Sequence, residues 1–90
     1  MLQTFSIVVS GKVQGVYYRQ STKEKARELG LTGYVQNMPD SSVMIIVTGT
    51  TLQLETLINW CRTGPPRAQV KEVIATEIPL QTFESFFINR

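Results

Sequence analysis

The segment from Gly11 to Arg19 combines residue types that could bind a small anion. It follows a stretch of alternating apolar residues, and a helical pattern opens directly after it. Glycine lets a backbone turn sharply, and successive N–H groups in such a turn, or in the first turn of a helix, can converge on an anion. The guanidinium of Arg19 can fork onto two phosphoryl oxygens. From spacing alone, an ordinary glycine turn with a solvent-facing arginine remains the alternative.

Asn37 is a second polar residue at a position where chemistry is possible. It ends an apolar run and opens the turn sequence Asn-Met-Pro-Asp-Ser-Ser at residues 37–42. Its amide oxygen can accept a hydrogen bond from water, although asparagine at a strand end is also a common structural residue. The chain has no histidine and one cysteine, Cys61. This inventory excludes Ser-His-Asp triads, His-ligated metals, an internal disulfide and a Cys-rich metal site.

The elements that must position these residues follow from hydrophobic periodicity. Alternation around Phe5 to Val9 predicts a first strand, and Tyr18, Thr22, Ala26 and Leu29 trace the inner face of a helix that stops at Gly30. On its outer face we expect Glu24 to pair with Arg27 and Lys25 with Glu28. Further strands are predicted over residues 31–36, 43–48, 70–76 and 83–88.

A second helix is predicted after Gly49. Thr50 and Gln53 can form a capping box, and Leu54, Leu57, Ile58 and Cys61 make an apolar stripe that buries Cys61. The sequence does not place Trp60, which lies off that stripe. The resulting order, β-α-β-β-α-β with an additional short C-terminal strand, predicts an α+β, ferredoxin-like sandwich: an antiparallel sheet with two helices on one face, in a single domain over residues 1–90.

Four sequence blocks resemble the acylphosphatase family. Residues 11–19 resemble its G-x-V-Q-G-V-x-F-R motif, and residues 29–37 its L-G-L-x-G-x-V-x-N motif. Residues 64–70 are similar to G-P-x-x-A-x-V, and residues 86–88 to the closing F-x-I. The blocks occur in the family's order and span nearly the whole chain.

The resemblance implies hydrolysis of acyl phosphates without a metal or other cofactor. Arg19 would be the phosphate-binding arginine, and Asn37 would orient the attacking water. Backbone amides from Gln14 to Arg19 would form a cradle for the phosphoryl group, with Gly15, Val16, Tyr17 and Tyr18 between them. Such a reaction expels a carboxylate, which leaves without a proton, so that the absence of histidine is compatible with it.

Two positions depart from the family pattern. Tyr18 replaces the usual phenylalanine, and its hydroxyl needs a partner or water. Ser41 stands where glycine is common, in a turn that can require a left-handed residue, so that the hairpin holding Asn37 could be strained or differently shaped.

Composition narrows the remaining classes of function. The net charge is +2, with 42% hydrophobic and 18% charged residues and no basic run, so we expect a protein that binds a small molecule rather than nucleic acid or a membrane. Residues 1–10 lack the pattern of a signal peptide and no apolar run is long enough to span a membrane, so we expect a cytoplasmic protein, with a monomer as the default state. An RNA-binding module of the same fold is one alternative, but the central strands lack its stacking aromatic residues. The other is a non-catalytic accessory domain of the acylphosphatase type.

Overall fold

Five strands form one mixed sheet in the computed structural model, which describes all 90 residues. The spatial order of the strands is β4-β1-β3-β2-β5. The elements are β1 (Leu2–Lys12), α1 (Tyr18–Glu28), β2 (Thr32–Asn37), β3 (Val43–Thr50), α2 (Thr51–Cys61), β4 (Gln69–Ile78) and β5 (Phe86–Ile88). Neighbours among β1 to β4 are antiparallel, whereas β5 runs parallel to β2. The predicted ferredoxin-like fold is confirmed, but the sheet is mixed rather than wholly antiparallel, because the last strand pairs in parallel with β2. That strand starts at Phe86 rather than at residue 83.

Both helices pack against the same face of the sheet. Alternate residues of β1 and β3, including Ile7 and Ile45, belong to one buried cluster with Ala26 of α1 and Leu57 of α2. Cys61 is fully buried in this cluster, as predicted. Burial raises the pKa of its thiol to about 12.

The two residues predicted to cap the start of α2 form the expected hydrogen bonds. The Thr50 hydroxyl accepts a hydrogen bond from the Gln53 N–H at 3.3 Å, and the Gln53 side chain accepts one from the Thr50 N–H at 2.9 Å. The capping box at the start of α2 is therefore confirmed.

One expected ion pair on α1 is wrong. Lys25 and Glu28 do pair, at 3.5 Å, but Glu24 accepts a hydrogen bond from Gln20 at 3.0 Å instead of meeting Arg27. Arg27 donates through Nε to the main-chain oxygen of Phe86 at 3.1 Å. This bond ties α1 to the edge strand β5, a partner that helical spacing does not reveal.

Candidate active site

The loop between β1 and α1 has the backbone geometry of an anion-binding nest. Gly15 and Tyr17 both adopt left-handed conformations, with φ of 74° and 64°, and Val16 between them does not. Alternation of handedness turns successive N–H groups toward one side of the chain, where they can surround an anion. Val16 is buried in the core, so its side chain anchors the loop.

The N-terminal end of α1 lies beside this loop and adds the partial positive charge of the helix dipole. Tyr17 is the N-cap residue, no side chain caps the helix, and its first turn has no acidic residue. The N–H groups of that turn therefore keep their capacity to bind an anion. Arg19 lies in the same turn, is half-buried, and forms no ion pair, because the only ion pair in the molecule joins Lys25 and Glu28.

Tyr18 fixes the loop to α2. Its side chain is buried, and its hydroxyl donates to the main-chain oxygen of Cys61 at 2.8 Å. Trp60, which the sequence left unplaced, lies against the Tyr18 ring with 5.6 Å between ring centroids. Burial raises the pKa of Tyr18 well above its usual value. The hydroxyl that distinguishes Tyr18 from the usual phenylalanine is therefore hydrogen-bonded inside the protein.

Asn37 ends β2 opposite Val43, at the mouth of the β2–β3 hairpin. Its Oδ1 atom is buried and accepts no hydrogen bond from the protein, and it is the only buried side-chain nitrogen or oxygen in this condition. Buried polar atoms are nearly always paired, so an unpaired acceptor is a specific feature that calls for a ligand or a water molecule.

The turn after Asn37 is held by a set of short hydrogen bonds. Met38 N–H donates to the Ser42 main-chain oxygen at 2.8 Å, and Asp40 accepts from the N–H and the hydroxyl of Ser42 at 3.0 Å and 2.6 Å. The hydrogen bond from the Ser42 hydroxyl holds the pKa of Asp40 below its usual value. Ser41 has a φ of 76°, so the turn does use a left-handed residue at the position where the family commonly has glycine.

Gln14 joins the two loops through its side chain. Its Nε2 atom donates to the main-chain oxygens of Met38 at 3.0 Å and Ser42 at 2.9 Å. Sequence reasoning included Gln14 only for its backbone amide and missed this bridge. The clue in the sequence to such a bridge was a polar side chain in an otherwise apolar stretch of the loop.

One cavity of about 480 Å³ brings the predicted residues together. The loop and the first turn of α1 form one wall, Asn37 borders the same cavity, and Val16 is the one predicted residue that does not line it. The lining residues are Val13, Gln14, Gly15, Tyr17, Tyr18, Arg19, Gln20, Asn37, Arg67, Ile88 and Arg90. The volume lies within the usual range for small-molecule sites.

Comparison with known proteins assigns the family. The acylphosphatase family model matches residues 5–88. An acylphosphatase from Marinobacter nauticus is 56% identical over 86 residues, which cover 94% of each chain. The chain belongs to the acylphosphatase family. The family resemblance drawn from the four sequence blocks is thereby confirmed.

Solved acylphosphatases have the same fold over their whole length. The enzyme from Coxiella burnetii is 36% identical, with a TM-score of 0.95 over 98% of this chain and 93% of that one. The acylphosphatase from Bacillus subtilis is 31% identical, with a TM-score of 0.94 and complete coverage of both chains. This acylphosphatase chain also contains no cluster of His, Cys, Asp and Glu side chains that could hold a metal, and no helix long and apolar enough to cross a membrane.

Arg67 and Arg90 line the cavity although sequence reasoning did not single them out. Gln69, at the start of β4, pairs with Lys12 at the end of β1, so the residues just before β4 lie beside the loop that follows β1. Ile88 pairs in parallel with Val35, so Arg90 follows β5 at the end of the sheet where Asn37 ends β2. Strand pairing brings both arginines to the cavity, and this pairing between distant segments cannot be read from a local sequence motif.

Proposed function

We propose that this acylphosphatase hydrolyses acyl phosphates to a carboxylate and inorganic phosphate at the cavity between the β1–α1 loop and Asn37. The observation that carries the proposal is the unpaired, buried Oδ1 of Asn37, which borders the same cavity as Arg19 and the nest. An acceptor for a water molecule and a set of donors for a phosphoryl group thus share one site.

The phosphoryl group binds to the nest and to Arg19. Backbone N–H groups from Gln14 to Arg19 surround one oxygen, and the guanidinium forks onto two others. In the transition state for phosphoryl transfer, charge is spread over these oxygens, so fixed donors stabilise it without a change in their own protonation. Arg19 is free to act in this way because no carboxylate neutralises it.

Asn37 positions the attacking water. Its Oδ1 accepts a hydrogen bond from the water, which leaves an oxygen lone pair directed at phosphorus. As the new P–O bond forms, a water proton passes to a phosphoryl oxygen. The P–O bond to the acyl group breaks, and its electron pair leaves with the carboxylate.

This sequence of steps requires neither a general acid nor a metal. The departing carboxylate has a conjugate acid with a pKa of about 4 to 5, by analogy with aspartate and glutamate, and leaves as an anion. Among the residues that line the cavity none is histidine, aspartate or glutamate, which suits a reaction with such a leaving group.

Turnover of benzoyl phosphate with EDTA present is the direct test, with para-nitrophenyl phosphate as the control substrate. We expect rapid hydrolysis of the acyl phosphate, slow or no hydrolysis of the phenyl ester because its leaving group is more basic, and inhibition by inorganic phosphate. Loss of benzoyl phosphate turnover in EDTA, restored by a divalent cation, would contradict the metal-free mechanism. No turnover under either condition would favour the accessory-domain alternative.

We also propose that the chain acts as a monomer in the cytoplasm. The residues proposed to bind the phosphoryl group and the water meet at one cavity within a single copy of the chain, so the proposed site is complete in a monomer. The chain has a single, buried cysteine, so its fold does not depend on a disulfide and is compatible with a reducing compartment. Light scattering of the pure protein and fractionation of cells test the two points.

A further inference from the structure

The main-chain oxygen of Cys61, the last residue of α2, has no backbone donor. In a continued helix it would accept a hydrogen bond from the N–H group of residue 65. Both Pro65 and Pro66 lack an N–H group, and the N–H groups of residues 62–64 donate to earlier carbonyl oxygens of the helix. The donor that this oxygen receives instead is the Tyr18 hydroxyl, at 2.8 Å.

Two neighbours confine the Tyr18 ring. Trp60 lies against it, with 5.6 Å between the ring centroids. The ring also packs over Gly64, where a Cβ atom would lie 2.5 Å from Cε2 of Tyr18. Because the side chain is almost wholly buried, its hydroxyl meets the oxygen of Cys61 from a fixed direction.

The backbone of Tyr18 belongs to the proposed phosphate-binding segment. Tyr18 is the first residue of α1 and stands between the nest, which ends at Tyr17, and Arg19. Its side-chain hydrogen bond therefore fixes this segment to the C-terminal end of α2, a helix that does not line the cavity. Donors that are already ordered bind an anion more tightly than mobile ones, because no ordering opposes the binding step.

We propose that the Tyr18 hydroxyl is a positioning group for phosphate binding: by capping α2, it holds the nest and Arg19 in the geometry that receives the phosphoryl group. The hydroxyl acts through the backbone on either side of it and needs no contact with the substrate. It is also the point at which this chain departs from the phenylalanine of the family pattern. This inference rests on the proposed function, because it assumes that the nest and Arg19 hold the phosphoryl group.

Tyr18→Phe tests the role, because it keeps the ring and removes only the hydroxyl. Once the hydrogen bond is gone, ordering of the loop opposes binding by up to the net value of one hydrogen bond. We therefore expect the inhibition constant of inorganic phosphate to rise about three- to tenfold, and kcat/KM for benzoyl phosphate to fall by a similar factor.

Thr48→Val is the matched control for the loss of a buried hydroxyl. Thr48 is buried, donates to the main-chain oxygen of Gln81 at 2.7 Å and does not line the cavity. We expect this variant to have a lower thermal midpoint and an unchanged inhibition constant. An unchanged constant in folded Tyr18→Phe, or an equal rise in Thr48→Val, would overturn the positioning role, because the hydroxyl would then contribute only to stability.

Gly64→Ala disturbs the same side chain from its other neighbour. The new Cβ atom displaces the Tyr18 ring, so phosphate inhibition should weaken although Gly64 does not line the cavity. Gly30→Ala is the control, since both glycines have a positive φ, 65° and 78°, but a Cβ atom at Gly30 would meet only the side chain of Gln53. Both variants should be less stable, and an equal loss of phosphate inhibition in the two would contradict the role of Tyr18.

A titration with inorganic phosphate, followed by the backbone amide chemical shifts, measures binding without turnover. In the wild type the shifts should give a dissociation constant that matches the inhibition constant, and Tyr18→Phe should raise both. If the wild type neither binds phosphate nor hydrolyses benzoyl phosphate, the proposed function itself fails, which is distinct from normal phosphate binding in Tyr18→Phe.

Discussion

Gln14 donates a hydrogen bond from its side chain to the main-chain oxygen of Ser42 at 2.9 Å, across the gap between the β1–α1 loop and the β2–β3 turn. The same nitrogen reaches Met38 at 3.0 Å. The β1–α1 loop contains the anion-binding nest and precedes Arg19, and the β2–β3 turn follows Asn37. This amide therefore ties together the two segments that hold the proposed phosphate-binding groups and the proposed water-binding Asn37.

Replacement of Gln14 by leucine tests this positioning role. The change roughly keeps the volume and removes two hydrogen bonds, while the two carbonyl oxygens keep their backbone donors, the Met38 N–H for Ser42 and the Ser41 N–H for Met38. We expect a net cost of about 0.5 to 1.5 kcal/mol in the free energy of unfolding for each hydrogen bond lost. We expect kcat to fall on the order of ten- to a hundredfold, since small displacements of reacting groups are costly. Gln69→Leu, at an exposed site on β4, is the control for the substitution itself.

A double-mutant cycle separates positioning from a purely structural loss. If Gln14 acts by placing Asn37, then Gln14→Leu must cost much less in kcat when Asn37 is already alanine. Additive losses in kcat, measured well below the thermal midpoints of all variants, would exclude the coupling between the two residues.

The positive φ of Ser41 predicts that its replacement by glycine stabilises the β2–β3 hairpin. Ser41 has a φ of 76°, which is unfavourable for a residue with a Cβ, and its side chain is exposed. We expect Ser41→Gly to raise the free energy of unfolding by about 0.5 to 1 kcal/mol, after the greater freedom of glycine in the unfolded chain is included. Urea denaturation measures the change.

Ser41→Ala is the matched control, because it removes the hydroxyl and keeps the Cβ. It should bring no gain in stability. If alanine and glycine stabilised the protein equally, the serine hydroxyl rather than backbone strain would be responsible.

Features that depend on spacing within one helix or strand can be predicted from this sequence, whereas contacts that depend on strand pairing cannot. The capping box of Thr50 and Gln53 and the inner faces of both helices follow from spacing within single elements, and they are correctly predicted. Arg67 and Arg90 meet the cavity only because β4 pairs with β1 and β5 with β2, so residues far apart in sequence determine their place. The Arg27 hydrogen bond to Phe86 was missed for the same reason.

Arg19→Ala should impair both binding and turnover. Arg19 contacts the phosphoryl group in the ground state and in the transition state in the proposed mechanism. Loss of two charge-assisted hydrogen bonds, about 1.5 to 3 kcal/mol each, lowers kcat/KM on the order of 10² to 10⁴. The inhibition constant for inorganic phosphate should rise in parallel.

Arg19→Lys provides the comparison, since it keeps the charge but not the planar fork. We expect activity between those of the wild type and the alanine variant. Near-normal turnover of folded Arg19→Ala would place the phosphoryl group elsewhere in the cavity.

Asn37→Ala should impair turnover without impairing phosphate binding. In the proposed mechanism, the unpaired Oδ1 of Asn37 binds the attacking water, whose position matters as the new bond forms. By comparison with the loss of one preorganised hydrogen-bonding group in other enzymes, kcat should fall on the order of 10² or more, while KM and phosphate inhibition stay nearly constant. The thermal midpoint must be compared first, because Asn37 adjoins the Met38–Ser42 turn and its loss could loosen the hairpin. Phosphate affinity of the folded variant is then the deciding measurement. A large drop in that affinity would mean that Asn37 holds the phosphoryl group itself, and the separate roles of Arg19 and Asn37 would have to be abandoned.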